Sequence, residues 1–582
     1  MPDYVTRDEV LRMLAAQERI FTEQMATLRA QVLHLKNQPR KTWSERLPSP
    51  LRQPAVAAAL VSLLIAGFCL LCIWPGLTPG FDGDDLMNLN FGWQPPLRTL
   101  VIANLVPFTS FYRPAGGAYY RLCLALFGWH PAFFRTVTVG LLLLNLLLVY
   151  KLAHRLSGSR EVGALAALLY TFHGHLQHIY DSNGTVYDVL CGTLSLSMAL
   201  YYIRLRQENR RWGAKEWLCL LALFIAAVNA KEMAAALPPL LLIYEWLWHG
   251  PPDKRPATLL RWLVRQGSPA LVLLALAAAA AWGKGSALHA HPLYAPTFTL
   301  HRFFDNARRL HSDLLYIAGR QINTTQLVSL WASLFVVAAL TRRKTLWFCA
   351  WWCLLAPLPI IFIPYRGFFV MYVPYVGWAI YLAVVLVALR NGLMRFSKRG
   401  WQVPTDVWEP ERIFLFCVVA WFVAQGGHAK DVNLTGHDPL TRPIQQQRDD
   451  FLKLQEPLPR GARVLLLHDR FPPGETWWPL FTIRVVYRDP ELWVDRLTML
   501  KNQPDEAALA SYDRVLDFDG QKLSVIRRRK EKPGRTVALP TDKGILWGSP
   551  TRQWFGLLLA SLTLVMLFRH KLPFLGPRFT LR

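Results

Sequence analysis

The feature that most constrains this chain is a succession of apolar, nearly uncharged runs of about 20 residues, beginning near Pro54 and recurring through most of its length. A helix of that length rises about 30 Å, the thickness of a bilayer's hydrocarbon core. With 53% hydrophobic and only 18% charged residues over 582 positions, the chain is too apolar for a soluble protein of this size. The basic excess, 65 Lys and Arg against 39 Asp and Glu, then reads as cytoplasmic loops facing anionic headgroups. No nucleic-acid-binding motif accompanies it, so nucleic acid is not an expected partner.

Spans are predicted at 55–75, 131–151, 161–179, 185–203, 216–230, 233–249, 269–284, 325–341, 345–363, 374–390, 412–426 and 553–569. Arg40, Lys41, Arg46 and Arg52 precede the first, which places the N-terminus in the cytoplasm. Alternation then makes every connection on that side basic, including Arg204/Arg206/Arg210/Arg211/Lys215 and Arg342/Arg343/Lys344. The expected fold is all-α and polytopic, with about 12 transmembrane helices and both termini cytoplasmic. It divides into a coiled-coil helix and linker (1–50), a transmembrane domain (51–426) with outward loops 76–130 and 285–323, a small outward α/β domain (427–552), and a last span with a tail (553–582).

The helix predicted at 6–38 opens on a Thr6/Glu9 capping box. It places Leu11, Met25 and Val32 at heptad position a and Leu14, Phe21, Leu28 and Leu35 at d, with Glu18 as the exception. That seam suits a second copy or a partner helix, or alternatively a membrane surface. In 427–552, Ala462–Leu467, Thr482–Tyr487, 514–518 and 522–526 read as strands, the last two joined at Asp519-Gly520. The eight cysteines all lie in or beside apolar runs and form no disulfide framework.

Chemistry is concentrated at the outward ends of spans. PGFDGDDLMNLN (79–90) follows the first span, where Asp82 or Asp84 is placed to cap a helix. The adjacent carboxylates of Asp84 and Asp85 repel each other beside a low-dielectric phase, which suits one of them to accept a proton. Cations that the positive-inside rule does not expect share this face: Arg98, Arg113, Arg121, Lys231, Arg302, Arg308, Arg309, Arg320 and Arg366. Lys231-Glu232 interrupts an apolar hairpin, and ionisable groups at such depth are functional candidates by default. A plain Glu232 salt bridge is the alternative for that pair. In FHGHLQH, only His175 and His178 are spaced to project together, toward substrate or backbone rather than zinc. No metal site is assigned, although Asp82 with Asp84 leaves room for a divalent cation. Sequons stand at Asn183, Asn323 and Asn433.

The order of the acidic pair, FYRPAGGAYY (111–120), ALFGWHPAFFR (125–135), FHGHLQHIYDSNGTVYDVL (172–190), NAKEMAAALPPLLLIYE (229–245) and PYRGFFVMYVPYVGWAIYLA (364–383) resembles the GT-C superfamily of polyprenyl-phosphate-sugar-dependent glycosyltransferases. It is most similar to the protein O-mannosyltransferase-like branch, which includes the transmembrane-and-tetratricopeptide O-mannosyltransferases and their bacterial relatives. The resemblance covers roughly 55–390. It implies a GT-C-like fold and a catalytic acid at Asp84 or Asp85, with Asp84 preferred. Glu232 would orient Lys231 or the acceptor. Arg366, Lys231, Arg113 and Arg320 would bind the donor phosphate, and His175, His178 and Tyr365 would contact substrate. No tetratricopeptide array follows, and the pair is Asp-Asp where some relatives have Asp-Glu. The activity implied is inverting transfer of a sugar, mannose-like, to a hydroxyl of a protein or glycolipid at the outer face. The absence of an endoplasmic-reticulum retention signal and the chain's bacterial-like length favour a bacterial inner membrane. The competing readings are a transporter or flippase for an anionic lipid and an inactive scaffold acting through 6–38.

Overall fold

The computed structural model describes residues 7–37, 54–74, 80–289, 295–317, 321–397, 410–428, 440–500, 502–529 and 535–546. Thr6, Arg320, Asn433 and the span expected at 553–569 lie outside them. The chain divides into two units, Met1–Ala58 with Pro404–Phe414, and Ala59–Val403 with Leu415–Arg582. In the first, Arg7–Asn37 is one continuous helix on which Leu14, Phe21, Met25 and Leu28 are exposed.

The second unit holds the rest. Among the described residues, six helices are long and apolar enough to cross a membrane: Pro131–Ser157, Asn183–Gln207, Ser268–Gly285, Thr324–Thr341, Lys344–Ile361 and Tyr375–Leu393. Ala59–Ile73 and Phe414–Val423 are shorter apolar helices. The chain is an integral membrane protein. The Pro131–Ser157 helix shows how sequence sets such bounds. Pro131 takes the first turn, where a missing N–H costs nothing, and Gly158 ends the helix at φ +71. His154 and Arg155 occupy the last turn, where the helix dipole favours cations.

Two expected spans are broken. The run at 161–179 is a helix over Arg160–Thr171, then breaks into a 3-10 turn at Gly174–Leu176 and a short helix at Gln177–Asp181, followed by a second 3-10 turn at Asn183–Thr185. The run at 233–249 begins as a 3-10 turn, Glu232–Ala236, before the helix Leu237–His249. A third irregular stretch, with Gly367 at φ +96 and a 3-10 turn at Phe368–Met371, precedes Tyr375. Backbone outside helices is tolerated at such depth when protein groups satisfy it. Tyr316 Oη accepts the Gly174 N–H at 2.8 Å, Asn306 Nδ2 donates to the carbonyls of Ile361 (2.8 Å) and Ile363 (2.7 Å), and Tyr170 Oη donates to the Tyr372 carbonyl at 3.0 Å.

The α/β region is as expected in type, with one strand misread. β1 (Leu458–Pro459) pairs with β6 (Val537–Ala538). The main sheet runs β3-β2-β4-β5, from β2 (Arg463–Leu466), β3 (Trp493–Arg496), β4 (Arg514–Phe518) and β5 (Leu523–Arg528). β2 lies parallel to β3 and to β4, while β4 and β5 form the antiparallel hairpin. At its turn Asp519 accepts the N–H groups of Gln521 and Lys522, both at 2.9 Å, and Gly520 sits at φ +94. Thr482–Tyr487 is not a strand; it belongs to the helix Trp478–Tyr487. Eight of its ten residues are buried, and a segment buried all round carries no periodicity to separate helix from strand.

This region packs into the rest of its unit. Phe81, Leu86, Leu89, Tyr120 and Trp129 of the loop 76–130 share one apolar core with Phe451, Phe481, Val485 and Leu516. The segment 541–546 returns to the same loop, with Trp129 N–H on the Asp542 carbonyl (2.9 Å) and Ile545 N–H on the Ala125 carbonyl (2.8 Å). Gly128, at φ +64, permits that approach, since a Cβ there would lie 2.1 Å from the Asp542 carbonyl oxygen.

Candidate active site

The acidic stretch forms the start of the helix Gly83–Trp93 through a reciprocal capping box. Asp82 Oδ1 accepts the Asp85 N–H at 2.7 Å, and Asp85 Oδ2 accepts the Asp82 N–H at 3.3 Å. Ser182 Oγ donates to Asp82 Oδ2 at 2.8 Å, and Tyr120 Oη donates to Asp85 Oδ1 at 3.0 Å. Asp85 is only 1% exposed. Burial, reinforced by the Asp82 charge, pushes its carboxyl well above the usual range, against the opposing pull of the Tyr120 hydroxyl, the Asp82 N–H and Arg135.

Asp84 is the exposed member of the three. Its Cβ rests against the 182–185 turn, where a Cβ on Gly184 would lie 3.1 Å away. Each oxygen of Asp82 and of Asp85 already accepts a hydrogen bond within the protein. Among the described residues no group of three or more His, Cys, Asp or Glu side chains is arranged to hold a metal ion.

Behind the acid lie two ion pairs. Arg113 grips Glu232 with Nε on Oε2 (3.2 Å) and Nη2 on Oε1 (2.5 Å). Burial alone would raise the Glu232 carboxyl, but Arg113 and then Lys231 outweigh it and hold it at about 2. Arg113 itself adopts a left-handed backbone, φ 49, immediately before Pro114. Lys231, 4% exposed, places Nζ 2.5 Å from Asp188 Oδ1. Lys231, expected to offer its charge to a phosphate, is therefore committed to a buried carboxylate in this conformation.

Tyr187 joins the two layers. Its hydroxyl donates to Asn88 Oδ1 on the acidic helix at 2.9 Å, its ring lies 5.6 Å from the Arg113 guanidinium, and Asp188 follows it. The contact requires Gly116, where a Cβ would fall 1.9 Å from the Tyr187 ring.

The segment 364–372 borders the same cluster. Phe369 lies 5.4 Å below Lys231 Nζ and 6.0 Å from His178, while His175 sits 5.4 Å from Tyr316 and 6.1 Å from Phe368. The three broken segments thus converge. Tyr365 donates its hydroxyl to Asp313, beneath Arg309 at 5.7 Å. Half-buried Arg366 lines a small hollow with Asn306, Leu310 and Val370.

Other candidate cations have local roles. Arg121 donates to the Pro95 carbonyl at 2.5 Å and the Trp93 carbonyl at 3.3 Å, closing the end of the acidic helix. Arg308 and Arg309 pair with Asp305 one helical turn away, at 3.3 and 3.2 Å. Asn183 is buried, its carbonyl accepting from Tyr120 Oη, so that sequon is not presented for modification. Sequence reasoning passed over Asp188, Tyr120, Ser182 and Lys284. The signal for Asp188 was there, a lone carboxylate opening an apolar helix.

No family model matches the chain, and no curated protein matches it. Among solved structures it is similar to an Archaeoglobus fulgidus oligosaccharyltransferase tethered with an acceptor peptide, at 12% identity and TM-score 0.43 over 75% of this chain and 63% of that one. It is similar also to ArnT from Cupriavidus metallidurans bound to undecaprenyl phosphate, at 12% identity and TM-score 0.44 over 85% of this chain and 100% of that one. At such values the likeness is one of overall helical course, and function is read from this chain's own side chains.

Proposed function

We propose that this chain is an integral membrane glycosyltransferase of the GT-C type, moving one sugar from a polyprenyl phosphate to an acceptor hydroxyl at the outer face. One observation carries the reading. An exposed carboxylate, Asp84, opens the helix whose Asn88 is joined through Tyr187 to Arg113, beside the buried Arg113–Glu232 and Lys231–Asp188 pairs. Asp84 takes the acceptor's proton as its oxygen attacks the anomeric carbon, and the bond from that carbon to the phosphate oxygen breaks, inverting the centre. The departing polyprenyl phosphate gains negative charge, which Arg113, Lys231 and Arg366 stabilise. Glu232 holds Arg113 in place, and His175, His178 and Tyr365 line the approach to the sugar. Mannose is the sugar the motifs suggest, with a protein or glycolipid as acceptor. We place the enzyme in a bacterial inner membrane with both termini cytoplasmic, and assign the apolar seam of 6–38 to a second copy or a partner helix.

Purified protein incubated with a labelled polyprenyl-phosphate sugar is expected to release free polyprenyl phosphate. Asp84→Asn is expected to slow this by about a hundredfold to ten-thousandfold, the usual worth of a general base, while unfolding at the same temperature. Release at the full rate by Asp84→Asn rejects the assignment. Transbilayer movement of the lipid without any release supports a flippase instead.

A further inference from the structure

Lys284 lies near the end of the apolar helix Ser268–His289 and is 6% exposed. An ammonium in that position costs several kcal/mol unless it is paired. Its Nζ donates to the Val228 carbonyl at 3.0 Å and to Asn229 Oδ1 at 2.9 Å, both neutral acceptors. An ammonium has three N–H donors, so these two use it incompletely.

The position is built into the site rather than beside it. Asn229 donates to the carbonyls of Ala103 (3.1 Å) and Asn104 (3.0 Å), and Asn104 Nδ2 donates to the Pro114 carbonyl (3.0 Å), next to Arg113. Asn229 is also two residues before Lys231. The helix is pressed close by Gly283, where a Cβ would sit 2.1 Å from the Phe108 carbonyl oxygen. Within this one network Arg113 pairs with Glu232 and Lys231 with Asp188, while Lys284 makes no direct ion pair among the described residues and meets the Glu232 charge, already paired with Arg113, only at longer range. Three cations against two carboxylates leave one buried positive charge uncompensated.

We infer that Lys284 is a further anion-binding residue of this site, supplying the charge that meets a phosphate monoester or diester, that of a lipid headgroup or a free phosphate. The inference rests on the donor reading above, since it names the group that the cation cluster is short of. A purely structural role, donating to the end of the Ala214–Ala230 helix, needs hydrogen-bond donors but no charge, so a neutral donor separates the two.

The test uses the full chain in detergent or nanodiscs, titrated with a polyprenyl monophosphate, the matching polyprenol and inorganic phosphate. Wild type is expected to prefer the phosphate lipid. Lys284→Gln should weaken that lipid by at least about tenfold, one decade in Kd, and leave polyprenol affinity unchanged. Lys284→Arg should restore it to within about threefold. Competition by inorganic phosphate at matching affinity would identify a free anion as the ligand and overturn the lipid assignment. If Lys284→Gln binds the phosphate lipid like wild type, or loses polyprenol equally, the inference fails while the donor reading stands. If wild type does not distinguish phosphate lipid from polyprenol, the donor reading fails with it. Should Lys284→Gln not fold, a structure of wild type with the phosphate lipid decides: a phosphate oxygen within about 4 Å of Lys284 Nζ, the span of an ion pair, is expected, and one two helical turns away overturns the inference.

Discussion

Asp84 and Asp85 are neighbours in sequence with opposite fates, because a helix start turns one outward and the other into its cap. The carboxyl of Asp85 is held above its ordinary pKa, so its contribution to stability is full below about 3.9 and declines as pH rises toward its folded value. Asp85→Asn keeps one carbonyl oxygen for the Asp82 N–H and turns its amide to donate to Tyr120 Oη, whose own proton still reaches the Asn183 carbonyl, and is expected to unfold at an equal or higher temperature than wild type at pH 8. Glu232 has the reverse sign. Lowered from 4.5 to about 2, it contributes stability above 4.5 that is lost as pH falls toward 2. Thermal midpoints of wild type should therefore drop between pH 5 and 3 by more than those of Glu232→Gln, and equal slopes would contradict the Arg113 pairing. For the buried Lys231–Asp188 pair, Asp188→Ala leaves an unpaired ammonium and is expected to cost about 3–5 kcal/mol, whereas replacing both partners with Met and Leu should recover most of it. A double-mutant cycle in detergent measures this.

At the scale of elements, the helices whose caps and periodicity were plain stand where the sequence put them. The breaks have a trace in the sequence, since Thr171–Val186 carries three histidines, Gln177, Asp181 and the turn residues Ser182-Asn183-Gly184, and Lys231–Leu237 opens on two charges, but apolar neighbours on both sides make each run long enough to read as a span. They persist because side chains such as Tyr316 satisfy backbone groups that a helix would otherwise pair. Helix contacts at the site depend on absent Cβ atoms. Gly116→Ala would meet the Tyr187 ring and is expected to cost about 1–3 kcal/mol through overpacking and to slow transfer together with it. Gly140→Ala, with open space around its Cβ, should instead leave transfer unchanged and stabilise by about 0.5–1 kcal/mol. Unfolding midpoints and turnover of the two variants, measured side by side, check both.

For the whole second unit, the shared core makes the α/β region a support of the acidic helix. Phe481 meets Phe91 edge to face at 5.9 Å, and Trp478 packs on Gly83, where a Cβ would lie 3.2 Å from its indole. Phe481→Ala is expected to cost about 3–5 kcal/mol and to reduce transfer by displacing Asp84. Val515→Ala, in the separate cluster of Leu465 and Tyr512, should destabilise the sheet without changing turnover per folded molecule. The sequence by itself determined the membrane class, the caps of the acidic helix, the Asp519-Gly520 hairpin and the motifs that carry chemistry, because length, apolarity and turn preference act over a few neighbouring residues. Which cation faces which acid, how deeply Asp85 is buried, and how the broken segments meet were decided by tertiary structure alone. Those outcomes depend on contacts between residues such as Tyr120 and Asp85, or Lys231 and Asp188, that lie tens of positions apart and meet only when the helices pack.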